Sequence, residues 1–555
     1  MKTHRTAADA GDIVFRSPTG RWMLAATVLG SAMGFLDATV VNVALPAIGR
    51  DVGADVSELQ WVLDSYLLTL AALILLGGSL ADRYGRRRVF TLGVVCFMIP
   101  SVLCAVAPTA GILIVARALQ GVGAALLTPG SLAIIQSTYR SADRPAAIGT
   151  WSALTGVASA LGPIIGGWLI DAFSWRWIFL LNVPIGLVVI AITGRHVPES
   201  RDPHVTGRLD LRGAVLATAG LAGITYALIE GPRGGSPLWV TATALGVGLA
   251  ALAGFAVTER HAAGPILPPG VFASGQFLSA NAVTFVVYAA LGGVFFLLVV
   301  FLQTSLGYSP LAAGAASLPV TLLMLALSSR AGALAQRVGP RLPLTVGPLL
   351  LAAGMLLMLR IDVGAGRGVA DYAVFVLPAV LVFGLGLATT VAPVTATALA
   401  AAPATHSGVA SGVNNAVSRV AQLTAVAALP VLAGIGGKDF QDPGALADGF
   451  HTAMLITAAL SAAGGLLAAA TIRSDVLVGA PEPARAAPAR RQPAPEAEPC
   501  PYECPVAGTP LRPAPAPAKT RQGGTPGPDR PGGTDGTHEA PGPGGRGGAD
   551  GTDEA

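Results

Sequence analysis

Charge is scarce in this chain: 12% of its 555 residues are Asp, Glu, Lys or Arg, 52% are hydrophobic, and the mean hydropathy is +0.63. A water-soluble chain could not hide that much apolar surface, which excludes an ordinary set of soluble domains. Cysteine is scarce too. Four residues are too few for a disulfide framework; Cys96 and Cys104 fall in an apolar run where a small buried side chain is expected, and Cys500 and Cys504 bracket CPYEC, two thiols without a second ligand pair. A histidine cluster, a metal-binding helix motif and a phosphate loop of Gly-Lys-Ser/Thr spacing are all missing. No metal, ATP or other cofactor is therefore expected, and no catalytic constellation speaks for an enzyme. The residues ahead of the first apolar run, 1–21, lack the short apolar core and small-residue cleavage site of a signal peptide, so the first run is expected to stay in place.

What the sequence has in abundance is apolar length. A bilayer core about 30 Å thick takes roughly 20 apolar residues per helix, because each crossing segment must pair its own backbone polar groups. Fourteen such segments are legible, the first over 22–48, the seventh and eighth over 211–230 and 237–257, the last over 450–471. The expected fold class is an all-α membrane protein. The net charge of +4 sorts by loop: Lys2, Arg5, Arg16 and Arg21 precede the first helix, Arg83, Arg86, Arg87 and Arg88 follow the second, Arg140 and Arg144 the fourth, and Arg195, Arg201, Arg208 and Arg212 the sixth. Basic residues gather on the cytoplasmic side of membrane proteins, which places both termini there, in the cell membrane, and reads the charge as topology, with no nucleic acid as partner. From 475 to 555 the chain turns to Pro, Gly and Ala with few large aliphatic residues, a composition that predicts a disordered cytoplasmic tail.

A repeat hides beneath the hydropathy. GSLADRYGRR runs from Gly78 to Arg87 and GALAQRVGPR from Gly332 to Arg341, 254 positions apart and each after an even-numbered helix. An offset of eight helices, where two six-helix bundles would give six, implies two extra helices between the halves. The expected organisation is an N-terminal segment over 1–21, a six-helix bundle over 22–194, a linker with two extra helices over 195–275, a second bundle over 276–474, and the tail. Paired bundles with a cavity between them suit a secondary transporter.

Five motifs carry a family resemblance. GGSLADRYGRR, RALQGVGAA from Arg117 and ALGPIIGGW from Ala160 resemble signatures of the major facilitator superfamily; LDATVVNVALP from Leu36 and QWVLDSYLL from Gln60 resemble its fourteen-helix drug:proton antiporter branch. The resemblance covers about residues 20–475 and leaves the tail unaddressed. In the loop motif, Gly78 and Gly85 permit close approach, and Asp82 can accept hydrogen bonds from Arg83, Arg86 or Arg87. The resemblance implies a cytoplasmic latch between the bundles; arginines that only set topology are the other reading, and Gln336 replaces the Asp in the second copy. Gly156, Gly162, Pro163, Gly166 and Gly167 would weaken a soluble helix, but in a membrane they permit tight contact and a bend. The resemblance associates that pattern with exporters.

Ionisable side chains inside a membrane cost about 2.5–3.5 kcal/mol each on insertion scales and are functional candidates by default. Asp37 is the expected proton carrier, with Arg117 tuning it by approach and withdrawal; a static pair is the alternative. Asp64 has three readings: a second proton site, a substrate contact, or a group that reaches the outer aqueous mouth. Arg419 with Asn414, Asn415 and Gln422 forms a polar stripe that either faces a substrate cavity or hydrogen-bonds between helices, and Asn42 and Gln120 join the cavity candidates. Trp61, Tyr66, Tyr288 and Phe295 either stack on a flat substrate or anchor the protein at the interface. With no clear acid in the last six spans, a neutral, zwitterionic or singly charged cargo is expected. The function that follows is export of an amphipathic small molecule, a drug or antibiotic, against protons by a monomer working by alternating access. A proton-coupled importer and a non-transporting sensor are the competing readings.

Overall fold

The computed structural model describes residues 13–477, apart from 202–208, 233–235, 263–266, 268, 363–368, 403–406, 438, 440 and 441. The tail from 478 on, with Cys500 and Cys504, and the basic residues Lys2, Arg5 and Arg208 lie outside the described residues.

Among the described residues fourteen helices are long and apolar enough to cross a membrane: α1 (Pro18–Val52), α2 (Val56–Tyr84), α3 (Arg86–Ala105), α4 (Ala110–Thr138), α5 (Arg144–Ala172), α6 (Arg176–His196), α7 (Leu211–Glu230), α8 (Leu238–His261), α9 (Gly275–Thr304), α10 (Pro310–Val338), α11 (Arg341–Met358), α12 (Tyr372–Ala401), α13 (Val409–Leu432) and α14 (Pro443–Thr471). The expected start of one span moves by a full seven residues: α14 starts at Pro443 and not at 450. Asp442 caps it by accepting from the amides of Gly444 and Ala445, and Pro443 occupies the first turn, where its missing N–H costs nothing. Hydropathy registers the apolar slab; the cap registers where the helix begins. A similar signal separates α1 from α2. Gly53 ends α1 in the left-handed region at φ 67°, and Asp55 with Glu58 forms a capping box that starts α2.

The repeat is visible in the packing. Within the first six helices the main pairings are α2 with α4, α3 with α4 and α1 with α5; eight helices on, α10 packs on α12, α11 on α12 and α9 on α13. Gly93 and Gly347, again 254 positions apart, play the same part in the two halves: a Cβ on Gly93 would lie 2.7 Å from Leu127 N, and one on Gly347 2.3 Å from Thr390 Oγ1. Both positions let α3 and α11 close on their neighbours.

The pair α7–α8 forms a hairpin that packs on α2 and α13, the two helices that meet along one seam between the halves. Trp61 Nε1 on α2 donates to Glu230 Oε1 at the far end of α7, 3.0 Å away. Toward the other end an apolar groove opens between Leu73 and Leu76 of α2 and Leu211, Val215 and Ala222 of α7. At the arginine-bearing face, Phe15 N donates to Asp143 Oδ2 at 2.9 Å and Tyr139 donates its hydroxyl to Gly20 O, tying the start of α1 to the α4–α5 loop. The Arg140 hydrogen bond holds the Asp143 carboxyl below its ordinary value, so this tie persists as pH falls until that depressed value is reached.

Candidate functional site

Four helices of the first half converge on one carboxylate. Asp37 on α1 accepts from Arg117 Nη1 of α4 at 2.5 Å, from Gln120 Nε2 of α4 at 2.8 Å and from Asn182 Nδ2 of α6 at 3.3 Å. Arg117 also donates from Nη1 to Gln120 Oε1 at 2.6 Å and from Nε to Val62 O of α2 at 3.1 Å. Ser101 of α3 accepts from Gln120 at 2.9 Å, and the Tyr66 ring lies beneath the guanidinium with its centroid 4.3 Å away. Asp37, Arg117 and Gln120 are all buried, at 4%, 1% and 0% exposure. Taking both charges out of water costs several kcal/mol per ion, which only a fully bonded arrangement offsets. The contact between Asp37 and Arg117 that one sequence could not demonstrate is present.

Gln120, expected to face a cavity, lies inside this network. Ser101 and Asn182 were missed, although a serine after Pro100 and a lone asparagine within an apolar span were the available signals. Tyr66 stacks on Arg117 and Trp61 bonds to α7, so neither ring is free for cargo in this conformation. Phe295 is 39% exposed and meets Phe383 edge-on, centroids 5.8 Å apart.

Asp64 does not reach an aqueous mouth. It is fully buried, and both of its carboxyl oxygens lack a hydrogen-bond partner. Asn414 is likewise buried and donates to Asn281 Oδ1 and Thr284 Oγ1 of α9 at 3.2 and 3.0 Å, the interhelical arrangement. Asn415 and Arg419 are part-exposed, and Arg419 Nε is buried without a partner. Asn42 donates to Ala38 O on its own helix.

The loop motif folds as its glycines require. Gly85 and its repeat Gly339 have φ of 113° and 86°, a region that favours glycine, and both abut the segment after the last helix of their half. A Cβ would lie 2.6 Å from Glu199 Oε1 at Gly85 and 2.3 Å from Ser474 O at Gly339. Asp82 accepts from Arg86 Nε and Nη2 at 2.9 and 2.7 Å, Arg87 N donates to Glu199 Oε1 at 3.1 Å, and Arg87 Nη1 donates to Val197 O. These contacts all stay within the first half. Arg83 lies over the Tyr84 ring, and a Cβ on Gly78 would meet Pro129 at 3.8 Å.

The small residues of α5 divide by partner. Cβ atoms on Gly162 and Gly166 would strike Thr39 and Val40 of α1 at 2.0 and 2.6 Å, while one on Gly167 would sit 2.5 Å from Pro310 O of α10. Across that seam, a Cβ on Gly314 of α10 would lie 2.2 Å from Pro163 O. Gly156 has nothing within 4 Å. Leu311 N adds a hydrogen bond to Asp171 Oδ2 at 3.0 Å, and Val56 N one to Gly437 O at 3.1 Å, so the halves are drawn together at the face away from the arginine loops.

The family model described as Major Facilitator Superfamily matches residues 27–426. The chain is 37% identical over 475 residues to the puromycin resistance protein pur8 of Streptomyces alboniger, covering 83% of this chain and 92% of that one. It is 36% identical over 394 residues to the multidrug resistance protein Stp of Mycobacterium tuberculosis, covering 71% and 72%. Identity to the tetracenomycin C resistance and export protein of Streptomyces glaucescens is 34% over 411 residues, covering 74% and 75%. Among solved structures, the peptide transporter POT in complex with sulfate aligns with a TM-score of 0.60 at 18% identity, covering 84% of this chain and 99% of that one. A bacterial homolog of the human lysosomal transporter Spinster aligns at 0.57 and 18%, covering 82% and 98%. Likeness at those identities speaks for the fold alone.

Proposed function

The chain belongs to the Major Facilitator Superfamily, and on that premise we propose that it exports antibiotic or other drug-like molecules in exchange for protons. Relatives named for resistance and export support efflux, and they favour it over nutrient uptake or sensing. The observation that carries the coupling is the buried Asp37–Arg117 pair: a carboxylate sealed by three hydrogen bonds from two other helices changes charge only if its partners move, which is what a proton carrier in a rocking protein needs. Cargo binding or helix movement that withdraws Arg117 lets Asp37 take up a proton; return of Arg117 expels it. Moving one charge across about 100 mV supplies about 2.3 kcal/mol.

We assign the arginine-bearing face and both termini to the cytoplasm of the cell membrane on the same charge rule. The bundles over 22–194 and 276–474 are then the rocking bodies, both in one chain, so that a monomer suffices. The conformation seen here, shut at the opposite face, is one end of the alternating-access cycle. Asp64 acts as a second proton site in this scheme. Its carboxyl is fully buried with neither oxygen hydrogen-bonded, which makes it a functional candidate within the span.

The test is proton movement in inverted vesicles energised to be acidic inside, with puromycin, tetracenomycin C and a panel of dyes added singly. Proton release on addition of at least one compound is the expected result; silence across the panel from correctly folded protein would sink antiport. Asp82 has the latch role in this scheme in a cytoplasmic closed state, where its carboxylate would face the other half as well as Arg86. Asp82→Asn is therefore expected to lower the maximal export rate about tenfold with cargo affinity within twofold, since charge-assisted hydrogen bonds would be lost in only one part of the cycle. An unchanged rate would leave the arginines a topological role only.

A further inference from the structure

Two glutamines reach across between the halves at the face away from the arginine loops. Gln60 of α2 donates from Nε2 to Val426 O at 2.7 Å and to Ala427 O at 3.0 Å, both on α13. Val426 lies four residues before Pro430, whose ring nitrogen carries no hydrogen, so that carbonyl has lost its helical donor. Gln60 replaces it. In the reverse direction, Gln303 of α9 donates from Nε2 to Val43 O of α1 at 2.9 Å, within the turn that Pro46 interrupts. Gln60 and Gln303 are buried at 1% and 7% exposure. Each half thus offers one glutamine, and each presents backbone carbonyls from a proline-broken turn, two on α13 and one on α1.

We infer that Gln60 and Gln303 form a reciprocal clamp that holds this face shut, each docking on a carbonyl in the turn a proline interrupts in the facing half. The inference rests on the alternating-access reading above and adds to it the residues that set how long the closed face lasts. A polar side chain in an apolar span persists when it finds a partner, and here the partner sits on the body that moves away. The clamp is also releasable. Opening hands the three carbonyls to entering water, and it hydrates Gln303 Oε1, which the closed face buries without a partner. Neither glutamine belongs to the Asp37 network, so they are positioning residues and not proton carriers.

The test is a distance measurement between spin labels at Arg50→Cys and Ala445→Cys, exposed sites on opposite halves, with the four native cysteines replaced by alanine and no cargo present. Gln60→Ala and Gln303→Ala are each expected to raise the ratio of separated to closed populations about tenfold, and the double variant more. An unchanged distribution in the double variant would overturn the clamp whatever the cargo proves to be, whereas failed antiport with a shifted distribution would sink only the coupling. Gln60→Glu keeps the shape and tests the hydrogen bond itself. Its protonated form can donate to Val426 O and its anion cannot, so separation should grow as pH rises; a pH-independent distribution would reduce Gln60 to a space-filler. Gln60→Ala keeps every other ionisable group on α2 and the helices packed against it, Asp37, Asp55, Glu58, Asp64, Asp82, Arg83, Arg117, Glu230 and Arg419 among them, and serves as their control.

Discussion

Asp37→Asn is expected to abolish substrate-driven proton release, by a factor of a hundred or more, while leaving the protein in the membrane. Asparagine is nearly isosteric and can still accept from Gln120 and Asn182, so the site keeps its shape but cannot gain or lose a proton. It also leaves the buried Arg117 cation without a counter-charge, for which the loss of stability is about 3–5 kcal/mol. That penalty has a built-in control. Asp37→Asn combined with Arg117→Gln removes both charges, and is expected to recover most of the thermal stability without recovering any proton movement. If the single variant still exchanges protons for drug at near the parental rate, Asp37 is a structural partner of Arg117 and the proton travels elsewhere, with Asp64 the next residue to replace. If the double variant recovers coupling, neither charge carries it.

Gly314→Ala should be almost as damaging for a steric reason. Its new methyl would sit 2.2 Å from Pro163 O, closer than real Cβ atoms come to backbone, and neither a backbone carbonyl nor a helix start has a cheap way to yield. Helices α5 and α10 would have to part by roughly an ångström, a misfit a packed interface does not absorb. The expected result is a fall of about a hundredfold in export with cargo still bound from the cytoplasmic side, read as initial rates beside equilibrium binding. Gly156→Ala is the counterpart inside the same motif. Its methyl would meet nothing within 4 Å, so export should stay within twofold of the parent. Equal damage from both substitutions would mean that the motif acts through helix bending and not through the α5–α10 contact.

Much of this architecture can be read from the chain alone. Fourteen apolar runs, a repeat in the loops after the second and the tenth helix, and arginines sorted by end were enough to place nearly every helix, because lipid permits so few solutions for a crossing segment. Gly85 and its repeat Gly339 have positive φ, and a Cβ on either would run into the segment after the last helix of its half. The pairing of Asp37 with Arg117 was legible as a pair of misfits at similar depth. Its remaining bonds were not. Ser101, Gln120 and Asn182 come from three helices whose rotation about their own axes is set by packing, and periodicity says which residues share a face without saying what lies opposite. The same limit hid Asn414's partners on α9 and the bonds of Gln60 and Gln303, each of which runs between residues at least 130 positions apart. Asp64 kept three readings in the sequence because depth along a helix was all that could be counted; the structure buries it fully, with neither carboxyl oxygen hydrogen-bonded.

The α7–α8 hairpin lies along α2 and α13, and among the described residues no comparable cover packs on the α5–α10 seam. When the halves part, one seam stays lined by protein and the other borders acyl chains. The bilayer therefore works on this molecule as an asymmetric boundary. If the halves part as proposed, lipid-dissolved cargo would have one flank by which to enter, and a change in lipid composition would bear on opening from that flank.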